Sequence, residues 1–124
     1  MTYLFVALGA AIGGVARYGT GELFKKVLGS GFPYATLFVN VLGSFVAAFI
    51  VFTLSKKITL SPEVYLFLTV GFCGGFTTFS TFSVETITLI QQGNWLTAFL
   101  SIALNVVLSL LAAGLALYLS NFRF

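Results

Sequence analysis

The chain has 124 residues, 59% hydrophobic and 7% charged, with six basic and three acidic side chains and no histidine. With a mean hydropathy of +1.08, that is no soluble domain; a spanning helix needs about 20 apolar residues, so the length holds four spans and little else. A lone cysteine, Cys73, reads as a small packed residue, and the composition has no histidine or cysteine cluster for a transition metal, no histidine, cysteine pair or carboxylate pair for acid–base work and no basic patch for nucleic acid.

Span one is expected over about 2–18. It lacks the basic start of a signal peptide and further apolar segments follow, so it reads as retained. Gly9 and Gly13 form a face of small residues that lets another helix approach closely. Arg17 closes the span, either as an anchor reaching interfacial water or as an anion attractor at a vestibule. Glu22, Lys25 and Lys26 fall in the first loop, and Pro33 suits the first turn of the next helix. Span two is expected over about 34–54, with Thr36, Asn40 and Ser44 at four-residue spacing on one face. An amide in hydrocarbon needs partners. Asn40 is therefore either a helix–helix hydrogen bond or a donor facing a pore.

Lys56, Lys57, Pro62 and Glu63 occupy the second loop, and span three is expected over about 64–90. Gly74-Gly75 is a poor helix interior, so the helix is predicted to break there. The hydroxyls of Thr77, Thr78, Ser80, Thr81 and Ser83 follow, interrupted by Phe79 and Phe82. Irregular backbone at membrane depth is tolerated only inside protein or along a wet cavity, and broken helices are where transporters hold ions. Phe79 and Phe82 share a face if helix resumes. Their electron-poor ring edges suit a small anion, although most phenylalanines in such a chain face lipid or pack. Glu85 is the one acid within a span, and an intramembrane carboxylate is a functional candidate by default. Trp95 is an interfacial anchor. Span four, about 96–119, carries Thr97, Ser101, Asn105 and Ser109 at four-residue spacing, a ladder that reads as an ion track or as polar glue between helices.

Four spans place Lys56, Lys57 and Arg123 on one side and Arg17, Lys25 and Lys26 on the other. The positive-inside rule then sets no orientation. Copies inserted both ways could pair about a two-fold axis in the membrane plane, with their helix breaks meeting. Carbonyls at helix C-terminal ends attract a cation, so a cation is expected at the centre of such a dimer.

The stretch Gly74-Gly75-Phe-Thr77-Thr-Phe79-Ser-Thr-Phe82-Ser83, with Val39-Asn40-Val-Leu-Gly43-Ser44-Phe45 and Gly13-Gly14-Val-Ala-Arg17-Tyr18, resembles the Fluc/CrcB fluoride channels. The match extends end to end in length and span count. The resemblance implies an all-α integral membrane protein of the cell inner membrane: a dual-topology antiparallel homodimer whose two pores export fluoride passively. It assigns Phe79 and Phe82 to fluoride contact, Asn40 to the pore and Arg17 to the vestibule. It places Ser80, Thr81 and Ser109 in the hydroxyl lining, to which the expected pathway adds Thr36. It also implies a structural sodium ion held by carbonyls of Gly74 and Thr77. Asn105 sits where a hydroxyl is expected. The alternatives are a small proton-coupled multidrug exporter, which needs a deep carboxylate, and an assembly protein without transport.

Overall fold

The computed structural model describes residues 1–121; Arg123, counted in the charge balance, lies outside the described residues. Four segments are long and apolar enough to cross a membrane: Thr2–Leu28, Tyr34–Lys57, Pro62–Gln91 and Trp95–Ser120. They are labelled α1 (Thr2–Leu28), α2 (Tyr34–Lys57), α3 and α4 for the two parts of the third (residues 62–76 and Phe79–Gln91), and α5 (Trp95–Ser120).

α1 does not stop near Tyr18 but runs on to Leu28, so Glu22, Lys25 and Lys26 ride on the helix instead of a loop. Lys25 and Lys26 lie in its last turn, where positive charge offsets the negative end of the helix dipole. The stop is Gly29, whose φ of 74° suits glycine and whose N–H donates to the Lys25 carbonyl at 3.1 Å. Pro33 caps α2 from just outside its first turn. α3 starts on Ser61, whose hydroxyl accepts from the Val64 N–H, with Pro62 at the first helical position. α2 and α3 each widen into a π-helical turn, at Ile50–Leu54 and Phe67–Cys73.

The third span is not interrupted at the glycine pair, where the break is expected. Gly74 and Gly75 are helical, Gly74 with φ −63° and ψ −38°. Extended backbone follows at Thr77 (φ −84°, ψ 161°) and Thr78 (φ −153°, ψ 122°), and helix resumes at Phe79. Gly75, unlike Gly74 with nothing within 4 Å of its Cβ position, serves a different need: α1 lies along α3 almost backbone to backbone. A Cβ on Gly13 would strike the Phe72 carbonyl oxygen, and one on Gly75 would come within 2.6 Å of the Ala10 carbonyl oxygen. Elsewhere α2 packs along α5, and α4 closes against α5. Val39, Ser101 and Ala116 are the most deeply buried residues, while Val15, Leu110 and Leu111 face outward, as a lipid solvent requires.

Gly13 and its neighbour Gly14 therefore differ sharply, because nothing lies within 4 Å of a Cβ built on Gly14. Thermal unfolding in detergent should show Gly13→Ala destabilised by about 1–3 kcal/mol through overpacking. Gly14→Ala should be neutral or gain up to about 1 kcal/mol from helix propensity.

Candidate ion-conducting site

The site is built around the two extended residues. An extended residue presents its own N–H and C=O on one edge, and Asn40 pairs with both of these on Thr78. The Thr78 N–H donates to Asn40 Oδ1 at 2.8 Å, and Asn40 Nδ2 donates to the Thr78 carbonyl at 3.2 Å. The geometry is that of one hydrogen-bonded pair in an antiparallel ladder, with a side-chain amide as the second strand. Asn40 Nδ2 also donates to Asn105 Oδ1 at 2.9 Å. The Thr78 hydroxyl caps α4 by accepting from the Thr81 N–H at 3.1 Å. The methyl group of Thr77 presses on Gly43, where a Cβ would collide with it.

Diverting these donors leaves carbonyls behind. In a continuous helix the Thr78 N–H would serve the Gly74 carbonyl, and the Thr81 N–H that of Thr77. Both donors go elsewhere. Arg17 meets the same helix end, its Nε donating to the Gly75 carbonyl at 3.1 Å. The guanidinium thus compensates the negative end of α3 while its side chain also lines a cavity.

That cavity, of about 480 Å³, runs between α1, α2 and α4 from Lys25 and Gln92 inward to Thr36, Thr81 and Thr78. Its ionic lining is balanced, Arg17 and Lys25 against Glu22 and Glu85. An anion inside it must therefore be held by dipoles and hydroxyls more than by net charge. The Thr36 hydroxyl donates to Glu85 Oε1 at 2.6 Å, joining α2 to α4 across the lining. Phe79 and Phe82 are neighbours, with ring centroids 5.5 Å apart and planes at 60°. Phe82 is buried, but Phe79 is 77% exposed on the single chain. Ser80 and Gly74 are also exposed. Ser109 is not part of the cavity lining; its buried hydroxyl, like that of Thr53, has no hydrogen-bond partner among the described residues.

The model of the family described as CrcB-like protein, Camphor Resistance (CrcB), matches residues 4–117. The chain belongs to the CrcB-like family. It is 42% identical over 119 residues to the fluoride-specific ion channel FluC of Sulfurihydrogenibium sp. (strain YO3AOP1), covering 96% of each chain. It is 50% identical over 107 residues to the protein of that name from Shewanella loihica, covering 86% of each. The Thermus thermophilus protein of that name is 55% identical over 91 residues, covering 73% of this chain and 72% of the relative.

In this CrcB-like chain the structure gathers Asn40 with Thr78 and Asn105, Phe79 with Phe82, and Arg17 with Thr36 and Thr81. Of the expected pathway residues only Arg17, Thr36 and Thr81 line the cavity; Asn40, Phe79, Phe82, Ser80 and Ser109 do not. Thr78, absent from the expected site residues, is bonded by both Asn40 and Thr81. Its signal is legible as a hydroxyl three residues ahead of Thr81 at a helix start. Glu85, a candidate with no role assigned from the sequence, lines the cavity.

Asn40→Leu leaves two Thr78 backbone groups without partners, each costing about 1–3 kcal/mol. Thermal unfolding in detergent should show it destabilised by several kcal/mol, with exposed Ser80→Ala within about 0.5 kcal/mol of the parent.

Proposed function

We infer that this CrcB-like protein is a fluoride-specific ion channel of the membrane. The observation that carries this is its 42% identity to a relative of that name over 96% of both chains. The chemistry of the site supports it. Fluoride is small and strongly hydrated, so a path needs donors that replace water yet release the ion. The cavity offers hydroxyls beside a balanced set of charges, and Phe79 and Phe82, outside its lining, set two rings against each other just after Thr78 in the chain. Permeation is passive: an inside-negative potential drives the anion outward at ~2.3 kcal/mol per charge per 100 mV.

The working unit in this proposal is an antiparallel homodimer of inverted copies with two pores, in the cell inner membrane. The exposed ring of Phe79 and the exposed Gly74 give a second copy something to cover. The equal division of basic residues between the two sides favours neither orientation. Gly74 and Thr77 carbonyls, freed of their helical donors, would hold the structural sodium between the two copies. Oxygen ligands at helix C-terminal ends suit such a hard cation. Thr77 and Thr78 then act as the mid-membrane break of the third span.

The test is efflux from proteoliposomes read with a fluoride electrode. Fluoride is expected to leave, chloride to stay, and Phe82→Ile to slow fluoride efflux at least about tenfold, on the order of 1.4 kcal/mol in the barrier. A protonophore should leave the rate unchanged at clamped potential. Dependence on a proton gradient would favour the multidrug-exporter alternative, and no efflux at all would remove the channel reading.

A further inference from the structure

We propose that Asn105 is a positioning residue, which fixes the Asn40 amide in the single orientation that pairs both backbone groups of Thr78. A line of hydrogen bonds leads from rigid helix to extended segment. Asn105 Nδ2 donates to the Ser101 carbonyl at 2.8 Å, one turn back on α5. That carbonyl belongs to the backbone of the helix and cannot turn. With Nδ2 held there, Asn105 presents Oδ1 to Asn40 and can only accept. Asn40 must therefore face it with Nδ2, which leaves Oδ1 for the Thr78 N–H. Rotating the Asn40 amide by half a turn would set its oxygen against Asn105 Oδ1 and the Thr78 carbonyl, and its NH2 against the Thr78 N–H. All three contacts would then join like with like, two at Thr78 itself and a third, which Asn105 adds, on the far side of the amide. Asn105 is 5% exposed and Ser101 1%, so water has little access to relieve such a mismatch.

A hydroxyl at position 105 would lack this directing power, because it can donate as readily as accept. The amide also sets a threshold for the ion. Both N–H bonds of Asn40 are engaged, so an anion at this level gains a donor only by displacing the Asn105 oxygen or the Thr78 carbonyl. Asn105 thereby governs how readily Asn40 meets an ion that Asn105 itself does not touch. The part of the inference that concerns flux rests on the fluoride-channel reading; the part that concerns Thr78 does not.

The experiment is amide hydrogen exchange of the full chain in detergent, read at Thr78, with fluoride efflux measured in parallel. Asn105→Leu, close in volume but without an acceptor, is expected to speed Thr78 exchange about tenfold and, with one Asn40 N–H released to the ion, to raise efflux, with the Thr86 amide of α4 unchanged. Ser101→Ala keeps the backbone carbonyl and removes only the longer contact of Asn105 Nδ2 with the Ser101 hydroxyl, at 3.4 Å, so it should leave both readouts within about twofold. If Asn105→Leu does not fold, Asn105→Ser serves instead, with about a threefold acceleration at Thr78 expected. Slowed efflux with Thr78 exchange unchanged would mean that Asn105 meets the ion directly, and would overturn the proposal. No change in either readout would overturn it as well. Absence of efflux from the parent protein would remove the channel reading while leaving the exchange result to decide this one.

Discussion

A peptide N–H or C=O without a partner costs several kcal/mol in hydrocarbon, and a helix avoids that cost by bonding internally. Two extended residues midway along the third span forfeit that protection. At Thr78 the loss is made good from outside the helix, by one amide that donates and accepts together. The rest of the bundle can be read as what this exchange demands. α2 must carry Asn40 to the right depth, α5 must back it with Asn105, and α3 must be held still enough for distances near 3 Å to persist. The close seating of α1 against α3 supplies that rigidity, with Gly13 and Gly75 admitting contact between backbones.

The same devices explain how a chain with so few charges can address an anion. Arg17 lies at the cavity, but its Nε is engaged by the end of α3. Glu85, the carboxylate nearest Thr36, is itself hydrogen-bonded by that hydroxyl. Beside Lys25 at the lining, the cavity presents oriented dipoles, and dipoles bind loosely enough to let go.

Much of this was legible in the sequence, because apolar helices in a membrane make polar residues conspicuous. The four-residue spacing of Thr36 and Asn40, and of Ser101 and Asn105, placed them on inward faces, and both pairs do engage neighbours there. Gly75 misled because glycine has two uses. It loosens a helix and it admits a neighbour, and only the neighbour, α1, decides between them. Phe79 and Phe82 do lie side by side, as their spacing requires. That one is buried and the other bare could not be read from a three-residue spacing, since it depends on which helices flank the start of α4.

The length of α1 has a consequence for how ions reach the cavity. At about 1.5 Å per residue, its 27 residues extend beyond a hydrocarbon layer of about 30 Å by roughly 10 Å. That excess is similar to the Debye length of about 8 Å at physiological ionic strength. Anionic lipids give a cytoplasmic leaflet a surface potential of about −30 mV, which thins out monovalent anions roughly threefold at the headgroups. With the excess at the Lys25 end, the cavity that Lys25 lines would draw from about one Debye length out, where more than half of that potential is gone. The overhang would then be a spacer that partly uncouples ion capture from the lipid composition around it.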